Sequence, residues 1–215
     1  MHPQPIRATR PDKTRFVEVL TAAFAEDPHA NWLAGTGPGQ EKRLRLIMEF
    51  AFEQGLVARE AYLSPDNNAV AIWRLGSEPP TSWRFISLYL KFVRTLGWRR
   101  IREMGRLEKE IARQYPRDRE FLQLWLLGVD PAHQGRGLSS RMLDARLAEA
   151  ARQQLPVYLE TSTRKNVALY RRKGFAVYHE FVLDAATETQ IFMMRRTPPG
   201  IDRENWSAGA SASAR

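Results

Sequence analysis

Apolar residues recur at helical spacing in several segments of this chain. In the first segment, Phe16, Val19, Leu20, Ala23 and Phe24 fall at positions i, i+3, i+4, i+7 and i+8, so one face of a helix is predicted to lie in the core. The same spacing predicts helices within residues 44–51, 86–93, 101–111 and 138–148. The segments 86–93 and 101–111 lie in one long helical region, residues 82–114, which Gly97 is expected to break.

Short runs rich in apolar, β-branched and aromatic residues predict strands between these helices. The runs are residues 6–9, 56–63, 69–75, 121–129, 157–161, 176–183 and 189–195. Residues 64–68 have the composition of a hairpin turn. The pattern predicts one mixed α/β (α+β) domain over residues 1–197, followed by a small and polar segment, 198–215, that is expected to be disordered.

Composition excludes several classes of site. The chain has 215 residues and no cysteine, so it has no disulfide framework, thiolate zinc site or cysteine nucleophile. Its four histidines are scattered without ligand spacing, and we expect no metal. The first residues lack an apolar signal core, and no apolar run is long enough to span a bilayer. We therefore expect a cytoplasmic protein with no membrane partner, either a monomer or a homodimer.

The net charge of +9 favours anionic ligands. Nucleic acid and a phosphate-bearing cofactor of the CoA type would satisfy this charge equally well. Arginines and one lysine are concentrated in residues 94–109, but a charged run of this kind is also typical of a solvated helix face. Because the sequence has no helix-turn-helix, zinc or aromatic RNA-binding pattern, we do not expect a nucleic-acid partner.

The central motif of the chain is a strand, a glycine-containing loop and a helix within residues 121–146. Gly135 and Gly137 precede the predicted helix, where glycines let the backbone approach a ligand and the free N–H groups attract phosphate. The loop alone is equally compatible with a tight turn that binds nothing. About twenty residues later, Asn166 and Tyr170 lie at i and i+4 of a short predicted helix.

These two elements together resemble the GCN5-related N-acetyltransferase (GNAT) family. Its acetyl-CoA loop has the form Gln/Arg-x-x-Gly-x-Gly/Ala, which Gln134 and Gly137 match, with Ser139 in place of the last small residue. Its later Asn-x-x-x-Tyr signature, ending in Gly-Phe, matches from Asn166 and Tyr170 to the glycine and phenylalanine at 174–175. Residues 159–162 also resemble the branch of puromycin-type and other small-amine acetyltransferases.

The resemblance implies a GNAT fold, with a mixed, mainly antiparallel sheet of about seven strands, flanking helices and a helical insertion between strands three and four. It implies acetyl-CoA, or a longer acyl-CoA, as co-substrate. The pantetheine arm would pair with the backbone at Leu127 and Val129, where strands four and five splay apart, and would bond Asn166. The CoA pyrophosphate would lie on the loop formed by Gln134, Gly135, Arg136, Gly137, Leu138, Ser139 and Ser140.

The resemblance also implies that Tyr170 donates a proton to the departing CoA thiolate during direct transfer to a primary amine. Without the motif, Tyr170 would be read as a core tyrosine. The general base is less determined, because the predicted strand before the loop offers only Gln123 where many relatives carry a carboxylate. Glu160, Glu180 and water remain the candidates.

The acceptor, expected to be a small-molecule amine, should bind against the 82–114 insertion. That segment has more aromatic residues, including Trp83, than one docked helix needs, although they could also be ordinary core. Asp27 and Trp32, in the loop after the first helix, suit a cationic amine. Two other functions stay open. One is a dinucleotide-binding oxidoreductase, because Gly135-x-Gly137-x-x-Ser140 nearly matches the glycine fingerprint of that class. The other is a basic, non-catalytic nucleic-acid-binding protein.

Overall fold

A computed structural model describes residues 4–76, 85–117 and 119–198. One seven-stranded sheet runs through them, in the order β1-β2-β3-β4-β5-β7-β6. The strands are β1 Ile6–Arg7, β2 Ala61–Leu63, β3 Ala69–Leu75, β4 Leu122–Val129, β5 Val157–Thr161, β6 Ala176–Asp184 and β7 Thr189–Arg196. The helices are α1 Lys13–Ala23, α2 Pro28–Ala34, α3 Gln40–Ala58, α4 Phe85–Leu96, α5 Trp98–Arg113, α6 Leu138–Arg152 and α7 Arg164–Arg172.

Neighbouring strands are antiparallel except for β4 and β5. This parallel pair is short, since it joins only Leu122, Gln123 and Leu124 to the first residues of β5. Just beyond it, β4 has a bulge, because Ile72 of β3 pairs with Leu126 while the next residue pairs with Leu124. A bulge bends its strand, and from this point β4 and β5 separate. The expected mixed, mainly antiparallel sheet with a splay is therefore confirmed.

Helices cover both faces of the sheet. α1 and α3 cover one face, where Phe16 and Phe52 pack at a tilt with their ring centroids 4.9 Å apart in a core that also includes Ile72. α6 and α7 cover the other face, where Met142 and Leu143 pack with apolar residues of β3, β4 and β5. No helix within the described residues is both long enough and apolar enough to span a membrane.

Two boundaries near the first helices differ from the sequence prediction. The strand expected over 56–63 begins only at Ala61, because α3 continues to Ala58. Gly55 lies inside that helix, where a Cβ would lie 2.9 Å from the Cγ2 of Ile72, so its small size allows helix and sheet to approach. The loop expected after α1 contains α2, which begins at Pro28 with Asp27 as its N-cap.

The insertion between β3 and β4 is helical, as predicted, and consists of α4 and α5. Gly97 separates the two helices, with a φ of 79°, a backbone conformation that favours glycine. Phe92 of α4 stacks on Phe50 of α3 with the ring centroids 5.3 Å apart. The first residues assigned to the insertion, 82–84, and the tail residues 199–215 lie outside the described residues.

Candidate active site

The glycine loop leads from β4 into α6 and is open. Gly135 and Gly137 have left-handed backbones, with φ of 77° and 73°, which glycine adopts without strain. Apart from its chain neighbours, no atom of the described residues lies within 4 Å of the place that a Cβ would occupy at either residue. α6 begins at Leu138, and no side chain of the described residues caps it, so the N–H groups of its first turn are available to an anion.

The other residues predicted for this loop differ in exposure. Gln134 and Arg136 are exposed, while Ser139 and Ser140 are half-buried. The side chain of Leu138 is buried in the core under α6, so only its backbone can face a ligand. The loop therefore offers mainly backbone N–H groups, together with the side chains of Gln134 and Arg136.

Beside the loop, β4 has an edge without a strand partner. Leu127 and Val129 pair with β3 on one side, whereas β5 pairs with β4 only as far as Leu124. The backbone groups on the β5 side of this segment can therefore pair with an extended ligand, as an edge strand pairs with a peptide.

A cavity of about 970 Å³ opens at the splay. It brings together five residues that the sequence predicted for the site: Asp27, Leu127, Glu160, Asn166 and Tyr170. Much of its opposite wall comes from the insertion, whose apolar lining residues are Phe85, Ile86, Tyr89, Phe92, Ile101, Met104, Leu107 and Ile111. The cavity is thus largely apolar, with a few acids and one arginine.

Tyr170 lies on α7, which Thr163 caps by accepting a hydrogen bond from the backbone N–H of Asn166, 3.3 Å away. The ring of Tyr170 packs on Phe175, with centroids 5.8 Å apart. Burial, with the nearby negative charges of Asp27 and Glu160, raises the pKa of Tyr170 well above its ordinary value. The phenol therefore keeps its proton at neutral pH and can act as an acid.

Glu160 lies at the end of β5, in a network formed by β4 and the segment after α5. Its carboxylate accepts hydrogen bonds from the hydroxyl of Tyr115 and from Nε2 of Gln123, 3.1 Å away. Burial raises the pKa of Glu160 to about 7, although the hydrogen bond from Tyr115 opposes this rise in its pKa. A carboxylate that is half ionised at neutral pH is suited to general-base catalysis.

The sequence interpretation missed Tyr115 and Arg74. Tyr115 is buried, and its ring stacks on Phe121 with centroids 5.0 Å apart. Arg74 is buried on β3, where it pairs in register with Gln123, and it lines the cavity. One signal was available for Arg74, since it is the only charged residue in the otherwise apolar strand AVAIWRL, and a buried charge needs a partner.

Three proposed residues do not line this cavity or cannot be placed. Trp32 is not among its lining residues, and the guanidinium of Arg100 lies over its ring, 4.7 Å from the centroid; the acceptor role of Trp32 stays a prediction. Glu180 is exposed on β6 and also lies outside the lining, so of the two glutamates predicted as the general base only Glu160 lines the cavity. Trp83 lies outside the described residues.

Asp27 keeps two local bonds while it lines the cavity. One carboxylate oxygen accepts from the backbone N–H of Ala30, 2.9 Å away, and the other accepts from Oγ of Ser162, also 2.9 Å away. The charge of Asp27 is thus fixed in position beside α7. Within the described residues, no group of three or more histidine and acidic side chains is arranged to hold a metal ion.

Known proteins share this fold. A structure described as histone acetyltransferase HPA2 and related acetyltransferase, from Corynebacterium glutamicum, is 24% identical, with a TM-score of 0.66 and 94% of this chain and 99% of that chain covered. Arylalkylamine N-acetyltransferase 2 of Aedes aegypti is 15% identical, with a TM-score of 0.63 and coverage of 90% and 98%. The polyamine N-acetyltransferase of Drosophila melanogaster, which forms N-acetylagmatine, is 14% identical, with a TM-score of 0.61 and coverage of 90% and 98%.

A sequence-family match agrees with the fold. Residues 101–177 match the acetyltransferase (GNAT) domain, a span that contains the splay, the glycine loop and both Asn166 and Tyr170. The parallel pairing of β4 with β5 alone also differs from the parallel sheet of a dinucleotide-binding oxidoreductase. Residues 101–177 therefore match a GNAT acetyltransferase domain, and the described residues have the fold of the acetyltransferases named above, which supports an acyl-CoA-dependent N-acetyltransferase with acetyl-CoA as co-substrate.

Proposed function

We propose that this enzyme transfers the acetyl group of acetyl-CoA directly to a primary amine of a small molecule, with Glu160 as general base and Tyr170 as general acid. The observation that carries the proposal is a single cavity lined by the free edge of β4, the carboxyl of Glu160 and the ring of Tyr170. The acetyl donor and the two groups that move protons would therefore meet at one place.

The cofactor would lie across the splay. The N–H groups of residues 135–140 would bind the pyrophosphate, with Gln134 and Arg136 as further donors to its oxygens. The pantetheine amides would pair with the backbone of Leu127 and Val129, and Asn166 would bond the same arm. The thioester would then lie between Tyr170 and Glu160.

The reaction needs three proton transfers. Glu160, directly or through a water molecule, takes a proton from the ammonium group of the acceptor. The neutral nitrogen then attacks the thioester carbonyl, the C–N bond forms and the C–S bond breaks. Tyr170 gives its proton to the departing sulfur, and the nitrogen returns its surplus proton to the tyrosinate, directly or through water. The products are the acetylated amine and CoA thiol, and Glu160 releases its proton to solvent.

The acceptor would occupy the part of the cavity under α4 and α5. The aromatic and aliphatic wall favours an amine with an apolar group, and the carboxylate of Asp27, held by Ser162, favours its positive charge. Relatives that act on arylalkylamines and polyamines support a small-molecule amine. The acceptor contact predicted for Trp83 stays a prediction.

A screen of primary amines against acetyl-CoA tests this proposal. Thiol release and mass spectrometry of the amine would be followed together, because hydrolysis alone also releases thiol. We expect at least one small amine to be acetylated with an equal amount of CoA thiol released. Thiol release without an acetylated amine across aromatic, aliphatic and polyamine acceptors would contradict it.

A further inference from the structure

Arg74 places a buried cation in the wall of the cavity. Its side chain is only 6% exposed, and its guanidinium lies over the ring of Trp125, with the central carbon 3.2 Å from the ring centroid. Nη2 donates to Oε1 of Gln54, 2.9 Å away. Stacking on one face and a neutral hydrogen bond fix the orientation of the guanidinium but do not neutralise its charge.

The ion pairing of Arg74 is weak for a buried charge. The nearest carboxylate oxygen, Oε1 of Glu108, is 3.5 Å from Nη1, and the side chain of Glu108 is 62% exposed, so solvent screens this pair. Nε of Arg74 has no hydrogen-bond partner within the described residues, and neither has the buried Oε1 of Gln123. A buried guanidinium donor left unpaired costs free energy, which a ligand that accepts from it would recover.

The charges in the cavity have both signs. Asp27, Glu108 and Glu160 line the same space as Arg74. Of these acids, Glu160 is the one proposed to take the proton of the amine. An acceptor that carried only a positive charge would leave Arg74 with its weak pair to Glu108 and an unbonded Nε. An acceptor with an ammonium and a carboxylate would pair with both kinds of residue, and the apolar remainder would contact α4 and α5.

We propose that Arg74 selects the acceptor, and that the acceptor is an amine that also bears a carboxylate and an apolar or aromatic group. This inference rests on the proposed function of the same cavity. The guanidinium would bind a carboxylate oxygen through its free Nε–H, in a charge-assisted hydrogen bond. Arg74 is thus a specificity residue: its charge lowers the pKa of Glu160, but it neither gives nor takes a transferred proton.

Calorimetric titration of the CoA-saturated protein tests the inference with three probes of matched shape. L-Phenylalanine has the carboxylate, L-phenylalaninamide replaces it by a neutral amide, and 2-phenylethylamine lacks it. We expect the wild type to bind L-phenylalanine about 10- to 100-fold more tightly than either neutral probe. Arg74→Met should remove this preference, whereas Arg74→Lys should keep part of it.

Arg100→Met is the matched control, because Arg100 also lies over an aromatic ring but does not line the cavity. It should keep the wild-type preference. Equal binding of the three probes by the wild type, tighter binding of 2-phenylethylamine, or no binding of any of them would overturn the inference without reliance on a variant. So would an Arg74→Met protein that still prefers the carboxylate.

Turnover measured in parallel separates the two proposals. Preferential binding of L-phenylalanine without acetylation of any amine would refute the proposed function and leave the recognition role of Arg74 intact. Acetylation of 2-phenylethylamine as efficiently as L-phenylalanine would refute the recognition role and leave the acetyltransferase proposal intact. A purely structural role for Arg74 would lower binding of all three probes alike in Arg74→Met.

Discussion

Replacing Tyr115 by phenylalanine should raise the pKa of Glu160 and shift the pH dependence of the reaction. In the wild type, the Tyr115 hydroxyl donates a hydrogen bond to the Glu160 carboxylate. This bond stabilises the ionised form and partly offsets burial, which raises the pKa of Glu160 to about 7. Tyr115→Phe removes the donor but keeps the ring that stacks on Phe121.

The size of the shift follows from the strength of the lost bond. A hydrogen bond to a charged group contributes ~1.5–3 kcal/mol, and ~1.4 kcal/mol corresponds to one pKa unit. Because Gln123 still donates to the carboxylate from 3.1 Å, we expect the lower end, a rise of about one unit in the pKa of Glu160. At neutral pH the ionised fraction would fall from about a half to about a tenth, so kcat/KM should fall ~5-fold.

The assay is the pH profile of kcat/KM for thiol release with one acceptor, so that the amine's own ionisation is common to all variants. The loss in kcat/KM should approach ~10-fold on the acid side, be ~5-fold near neutral pH and disappear in alkaline buffer. Tyr178→Phe is the control, since its hydroxyl donates to the backbone carbonyl of Gln114, 3.3 Å away, instead of to Glu160. An acid limb that stays in place in Tyr115→Phe would refute Glu160 as the base.

Further variants test the other parts of the site. Tyr170→Phe should lower kcat by ~10²–10⁴-fold with CoA affinity nearly unchanged, and full turnover in steady-state assays would leave Tyr170 as a core residue. Gly137→Asp should weaken CoA binding at least ~10-fold by calorimetry, because a carboxylate would face the pyrophosphate. Gly39→Asp, at a matching left-handed N-cap of α3 with φ of 78°, should bind CoA normally, and equal losses in both would indicate misfolding. Glu160→Gln should gain stability relative to the wild type as the pH rises from about 4.5 to about 7, by up to ~3 kcal/mol, because the folded-state pKa of Glu160, about 7, lies above its ordinary value of 4.5. A pH-independent difference in urea unfolding would contradict that pKa.

Most of the sheet could be predicted because its signals are local. The strand β5 and the break at Gly97 depend on runs of a few residues, and both were predicted as observed. α2 was missed because the segment with Asp27 and Trp32 was predicted to be a loop after the first helix. An Asp-Pro pair also begins helices, since the aspartate caps and proline suits the first position, and here Asp27 does so.

The site residues could be predicted where all residues of a motif lie in one turn or one helix, because their spacing in sequence then fixes their relative positions. The glycine loop and the pair Asn166 and Tyr170 each lie within a single turn or helix. Glu160 was predicted as a candidate base, but its hydrogen-bond partners Tyr115 and Gln123 were not. The sheet register places Gln123 beside Glu160, and the end of α5 places Tyr115 there. Gln123 was taken as an empty base position, and it instead donates to Glu160. Contacts between elements distant in sequence cannot be predicted from periodicity.

The insertion illustrates the same limit for Arg74. The sequence predicted helices and a break there, but it could not predict which of their faces would lie over β3. The exposed Glu108 of α5 is near Arg74 only because α5 crosses above that strand. The charge of the cavity therefore follows from packing, whereas the apolar character of the insertion was visible in its composition.

Intact-mass spectrometry after incubation with acetyl-CoA, before and after addition of an acceptor amine, tests direct transfer most simply. Without amine, we predict an unmodified chain and no thiol beyond slow hydrolysis, since the chain contains no cysteine and neither Tyr170 nor Glu160 is proposed as a nucleophile. After the amine is added, acetylated amine and free CoA should appear in equal amounts, at a rate that Tyr170→Phe reduces. An acetylated chain that forms before the amine is present, and that passes its acetyl group to the amine, would contradict the account.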